Sequence, residues 1–167
     1  MSKLTEFRTA KDQFMGGDHQ SPLTDDQRRD FAGLSYLDEA LDLRLTLDVD
    51  RTGGGALVEM QTSTGDVASY LRWGRVSFEA DGETAELTVY RDPHGHFLPF
   101  ADATSGKETY GAGRYLKVQE MRDGRLVLDF NYAYNPYCAY NERWSCPLTP
   151  FKNRLRVPIR AGEKSFK

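Results

Sequence analysis

The 167-residue sequence is poor in cysteine, in histidine and in long apolar runs, and each shortage excludes something. Two cysteines, Cys138 and Cys146, cannot staple a fold together. Stability must come from a hydrophobic core, which a chain of this length can build as one domain spanning 1–167. Three histidines leave a single place, His94-Gly95-His96, where two imidazoles could share a metal. A site there would need a third ligand such as Asp102, Glu108 or a cysteine. Asp92-Pro93-His94-Gly95 reads equally as a surface turn, so no metal and no cofactor are expected.

No apolar run approaches the ~20 residues of a membrane span, and the opening Met1-Ser2-Lys3-Leu4-Thr5-Glu6-Phe7-Arg8 lacks a signal-peptide core. This predicts a cytoplasmic protein with no membrane partner. A net charge of −3 lacks the basic excess of a nucleic-acid binder. Neither G-x-x-x-x-G-K, G-x-G-x-x-G, G-x-S-x-G nor H-E-x-x-H occurs.

What is present points to β-structure. Nine tyrosines and nine phenylalanines suit a sheet-built core. Charge is placed unevenly, with 11 acids and 6 bases in residues 1–50 but 5 acids and 11 bases in residues 111–167. That asymmetry brings the two termini together or makes an anion-attracting face.

The first 33 residues carry helical spacing. Leu4, Phe7, Phe14 and Met15 share a face, ended by Gly16-Gly17. Thr24 and Gln27 then form a capping box for a short helix stopped by Gly33. From residue 34 the body is β-rich. Leu41, Leu43, Leu45, Leu47 and Val49 alternate with polar residues, as a strand with one buried face requires. Further strands are predicted over 56–61, 67–73, 76–80, 85–89, 97–100, 114–121, 125–131 and 155–159. Asp81-Gly82 is a hairpin turn, and Pro99 marks its strand as an edge. The expected fold is a mainly β, antiparallel meander closed as a β-barrel or β-sandwich, with one or two short N-terminal helices covering it.

Chemistry concentrates between Asp129 and Pro150, which hold both cysteines, four tyrosines and three asparagines. Tyr132, Tyr134, Tyr137 and Tyr140 could stack on a flat ligand or bury their rings. Cys138 and Cys146 could close a disulfide contributing ~2.5 kcal/mol, but two free thiols suit a reducing compartment. Arg154, Arg156 and Arg160 alternate with Leu155, Val157 and Ile159, while Asp129 and Asn131 lie opposite Leu128 and Phe130. If these polar faces look into a common cavity, they make a site for a carboxylate or phosphate.

Three functions follow. The first is a binding module whose polar pocket, built from the C-terminal strands and the 132–150 loop, takes a small, anionic ligand through Tyr110, Arg114, Asp129, Asn131, Asn135, Tyr140 and Arg160. The second is an enzyme with Cys138 as nucleophile and Glu108 or Glu163 as acid or base. The third is a structural or interaction domain without a small-molecule site.

Three runs carry a family resemblance: F-x-D-x-T-S-G-K-E-T-Y-G-A-G-R-Y-L from Phe100, L-D-F-N-Y-A-Y-N-P-Y-C-A-Y-N-x-x-W-x-C-P-L from Leu128, and N-R-L-x-V-P-I-R-A-G-E-K from Asn153. They resemble the prokaryotic proteins grouped as domain of unknown function 1684, closely over residues 100–164 and more loosely over 1–90. The resemblance implies no established activity, substrate or cofactor. His94 and His96 lie outside the matching runs, whereas Cys138, Cys146, Arg114 and Glu163 lie within them.

Overall fold

Asp81 and Gly82 adopt positive φ, 52° and 79°, and make the two-residue turn that this residue pair favours. In the computed structural model, which describes residues 2–167, they join β3 (Val67–Ala80) to β4 (Glu83–Asp92) with Ala80 opposite Glu83. The alternation then does what a half-buried sheet requires. Val76 pairs with Leu87 and Phe78 with Ala85, and all four are buried on one face. Each large apolar side chain buried this way contributes ~1.5–3 kcal/mol.

Two antiparallel sheets result. The larger has the order β2-β3-β4-β5-β6, adding β2 (Leu57–Gln61), β5 (Gly95–Phe100) and β6 (Arg114–Leu116). The smaller has the order β1-β8-β7, from β1 (Arg44–Leu47), β7 (Gln119–Glu120) and β8 (Leu126–Asp129). The chain is thus mainly β and antiparallel, but not the simple meander expected. The first strand pairs with the last, setting Leu45 against Leu128 and Leu47 against Leu126. Among the described residues no closed barrel forms. Leu126, Leu128 and Phe130 from the smaller sheet's side meet Phe78, Leu87, Leu98 and Phe100 in one core. An isolated bridge between Asp50 and Arg75 ties the sheets together.

Several boundaries differ for definable reasons. The predicted strands 67–73 and 76–80 are one, because Gly74 does not break the chain. It lets the backbone at Val49 and Asp50 approach, where a Cβ would meet Val49 Cγ1 at 2.5 Å and Asp50 O at 3.2 Å. Leu41 is 70% exposed, in a 3₁₀ turn ahead of β1 rather than on the buried face. Pro99 sits in an internal strand, not an edge. The β4 ladder on that side has already ended at Tyr90–Phe97, so its missing N–H loses no ladder bond. The Asn153 side chain fills that gap, accepting from Thr88 N–H at 2.9 Å and donating to the carbonyls of Thr88 and Pro99 at 2.8 Å each. Residues 155–159, predicted as the last strand, join no ladder. Their backbone instead bonds the 101–103 segment, Leu155 N–H donating to Ala101 O at 2.7 Å and Val157 O accepting from Ala103 N–H at 3.1 Å, while Ile159 alone turns to side chains.

At the N-terminus, α1 (Lys3–Gly17) buries Leu4 and Met15 and is capped by Ser2. The reciprocal Thr24–Gln27 box starts α2 (Asp25–Asp30) as predicted. Met15 packs with Leu23 and Tyr140 in a second, smaller cluster that holds the helices to the aromatic loop.

Candidate functional site

Arg114 opens β6 from a glycine that has no alternative. Gly113 holds φ at 104°, and a Cβ there would lie 2.5 Å from Phe100 O. The Arg114 guanidinium is 1% exposed. It donates to the carbonyls of Ile159 at 3.0 Å and Glu163 at 3.2 Å, and to that of Ala161. Burial pushes its pKa down, opposed by the charges of Asp102 and Glu163. Asp102 lies 3.7 Å away and accepts from Ile159 N–H at 2.5 Å and the Thr104 hydroxyl at 2.9 Å. Residues 159–163 are therefore held by an ion pair that bonds their backbone directly.

Glu163 is equally buried, and its carboxylate accepts from Lys11 Nζ at 2.8 Å, Tyr140 OH at 2.5 Å and Asn135 N–H at 2.9 Å. Burial, with that negative charge beside it, pushes the Tyr140 pKa far above the usual phenol range. Asn135 donates to Lys164 O at 3.0 Å. Asn131 bonds both backbone groups of Ala40, at 2.8 and 2.9 Å, and donates to Asp129 at 2.9 Å. Arg114, Asn131, Asn135, Tyr140 and Glu163 thus sit in closed interior contacts.

Asp129 and Asn131 do not face Arg114 and Arg160 across a cavity. Asp129 pairs with Arg44 at 3.1 Å, and the exposed Arg160 lies 3.7 Å from Glu108. Tyr110 lies elsewhere again, its hydroxyl 3.7 Å from Cys138 Sγ, and burial pushes its pKa up to about 12. Cys138 and Cys146 are free thiols, and neither Glu108 nor Glu163 is a hydrogen-bond partner of Cys138. His94 lies in the β4–β5 turn, donating its N–H to Asp92 at 2.8 Å, while the His96 ring packs 4.3 Å from that of Trp73. Among the described residues, no three His, Cys, Asp or Glu side chains converge on a metal position. Nor is any helix among them long and apolar enough to cross a membrane.

A sizeable hollow lies between α1 and the smaller sheet. This cleft of about 550 Å³ is lined by Phe7 and Lys11 of α1, Lys117 and Val118 between β6 and β7, Gln119 of β7, Val127 and Asp129 of β8, and Tyr132, Tyr134 and Tyr137. Its volume falls within the ~300–1,000 Å³ usual for small-molecule sites. The Phe7 and Tyr132 rings meet edge to face at 5.0 Å. Lys11 Nζ lies 5.2 Å from the Tyr134 ring centroid, and Tyr115 backs the same ring at 5.9 Å. Burial pushes the Tyr134 pKa up to about 12, so its phenol stays neutral.

Of the residues singled out from the sequence as ligand-binding, only Asp129 lines this cleft. The tyrosine series signalled three of its walls, while Tyr140 turns inward to Glu163. Phe7 and Lys11 were missed. Their spacing of four places them on one helix face, but a charge among core positions reads as solvated surface.

Fold and cleft together define a mainly β, helix-covered domain with an aromatic, lysine-bearing hollow. The chain belongs to the family described as Protein of unknown function (DUF1684), whose model matches residues 29–164. It is similar to the uncharacterized protein from gene locus rrnAC0354 of Haloarcula marismortui, known from a solution NMR structure. The two are 37% identical, the match covers 97% of this chain and 92% of the other, and the TM-score is 0.73. A search of curated proteins returned no match.

Proposed function

We propose that this protein is a small-molecule binding domain whose ligand is flat and anionic, an aromatic carboxylate or a molecule of like shape. The observation that carries this reading is the cleft itself, with four aromatic rings and two lysines around about 550 Å³. Tyrosine rings offer large, stiff faces with little conformational entropy to lose. Lys11 already neutralises the buried Glu163, so its charge is largely spent. Lys117 is exposed and makes no ion pair among the described residues, which leaves its ammonium to meet the ligand's anionic end. Gln119 adds a polar residue to the lining.

The interior residues Arg114, Asn131, Asn135 and Tyr140 act in this reading by holding the cleft walls, not by touching the ligand. The shared core suits two packed sheets of sandwich type, and two unbridged cysteines suit a cytoplasmic setting. The test is an amide-resonance titration with a panel of aromatic carboxylates and nucleotides. Binding should shift resonances of Phe7, Lys11, Lys117 to Gln119 and Tyr132 to Tyr137, and Lys117→Glu should abolish the effect with the fold intact. Shifts confined to other surfaces, or none at all across the panel, would sink the proposal.

A further inference from the structure

A second constellation lies outside the cleft and has a different chemistry. Cys138 sits in a 3₁₀ turn, half-buried, with its sulfur 3.7 Å from Tyr110 OH. Its own N–H donates to Cys146 Sγ at 3.3 Å, so the second sulfur lies against the first residue's backbone. Cys146 is buried and rigidly placed. Its N–H donates to Ser63 Oγ at 3.1 Å, its carbonyl accepts from Ser63 N–H at 2.9 Å, and the adjoining Pro147 bridges Thr62. One thiol therefore reaches solvent from a short turn, and the other waits behind it on a segment clasped to the β2–β3 turn.

We propose that Cys138 and Cys146 form a dithiol site that exchanges with low-molecular-weight disulfides, Cys138 attacking and Cys146 resolving. In the first step the Cys138 thiolate attacks one sulfur of R–S–S–R. The S–S bond breaks, Cys138 is left in a mixed disulfide, and one RS⁻ departs. In the second step Cys146 gives its proton to solvent and attacks Cys138 Sγ. The second RS⁻ departs, and an intramolecular disulfide remains. The two protein thiols are oxidised and the small disulfide is reduced to two thiols, so no further oxidant is needed.

The asymmetry of the pair supports this order. The Cys146 thiol donating toward Cys138, aided by the Tyr110 hydroxyl and opposed by burial, brings Cys138 down to about 6. The same contact, together with burial, pushes Cys146 up. A stabilised thiolate at the accessible position is both the attacking group and, once oxidised, the better leaving group when the disulfide is reduced again. Cys138 adjoins Tyr137 of the cleft wall but does not itself line the cleft, and the exchange needs no ligand there, so its success or failure is read independently of that reading.

The experiment is incubation of the native protein with oxidised glutathione, followed by intact-mass measurement and thiol titration. Wild type should lose both titratable thiols, release two equivalents of glutathione and end as a monomer two hydrogens lighter. Cys146→Ser should stop at one glutathionyl group on Cys138, and Cys138→Ser should leave Cys146 unmodified until the protein is denatured. Circular dichroism checks that each variant folds. Should either fail to fold, acid-quenched wild type mapped at early times answers instead, with the glutathionyl group expected on Cys138. Retention of both thiols in wild type, a first adduct on Cys146, or only intermolecular dimers would overturn the proposal.

Discussion

Replacing Arg114 tests whether the interior ion pair holds the C-terminal segment. Its guanidinium meets three backbone carbonyls and stands 3.7 Å from Asp102, whose side chain is 0% exposed. Arg114→Ala would orphan those carbonyls and leave a buried carboxylate with neutral donors only. Breaking a buried pair from one side costs about 3–5 kcal/mol. A domain of this size has roughly 5–15 kcal/mol in all, so about a fifth or more of the stability should go. Arg114→Lys keeps the charge but loses the planar fork, and one ammonium cannot span all three carbonyls, so about 2 kcal/mol should be lost. Arg114→Met combined with Asp102→Asn should recover part of the loss, because no lone charge then remains. Urea unfolding followed by tryptophan fluorescence reads all four proteins, provided the slope with denaturant is unchanged. A loss below about half a kcal/mol for Arg114→Ala would refute the reasoning, since that is the range of an ordinary surface change.

Three further predictions concern other sites. Gly113→Ala should lose about 2 kcal/mol or more in the same unfolding assay, because φ of 104° suits no side chain and the new Cβ meets Phe100 O at 2.5 Å. Asn153→Ala should lose ~3 kcal/mol, at about 1 kcal/mol for each of its three hydrogen bonds, and Asn153→Asp should be no better because a carboxylate repels the carbonyls of Thr88 and Pro99. Alkylation of Cys138 by iodoacetamide should rise with pH through a midpoint near 6 and level off by neutrality, since the reactive thiolate fills as pH passes a pKa held at about 6. A midpoint near the ordinary thiol value of ~8.5 would show that the Cys146 contact does not stabilise the thiolate.

Much of the fold was legible because its signals are local. The Thr24–Gln27 box and the Asp81-Gly82 turn each need only their own residues, and both stand where the sequence put them. What could not be read locally depends on partners far along the chain. The pairing of Arg44 with Asp129 in register spans 85 residues, and no periodicity within β1 names that partner. Gly74 and Pro99 misled for a related reason. Each is a breaker by intrinsic preference, but a backbone crossing at Val49 and a side chain at Asn153 make each one fit. The candidate site divided along the same line. Residue types showed that Arg114, Asn135, Tyr140 and Glu163 were chemically unusual, but unusual polar groups serve burial as readily as ligands. The cleft itself takes walls from both α1 and β8, and their meeting around it has no signature in either segment.

The contact between Lys11 and Glu163 also sets the order in which the molecule can be completed during synthesis. The two residues are 152 apart, and a ribosome adding ~5–20 residues per second needs roughly 8–30 s to supply the carboxylate after the ammonium. Through that interval α1 has neither its ion pair nor Tyr140, against which Met15 later packs. A helix this short is marginal alone in water. The nascent chain therefore carries Met15 without its partner, and Lys11 without its counter-charge, until residues 140–163 have been made. Residues 140–163 thus fasten a helix made long before them.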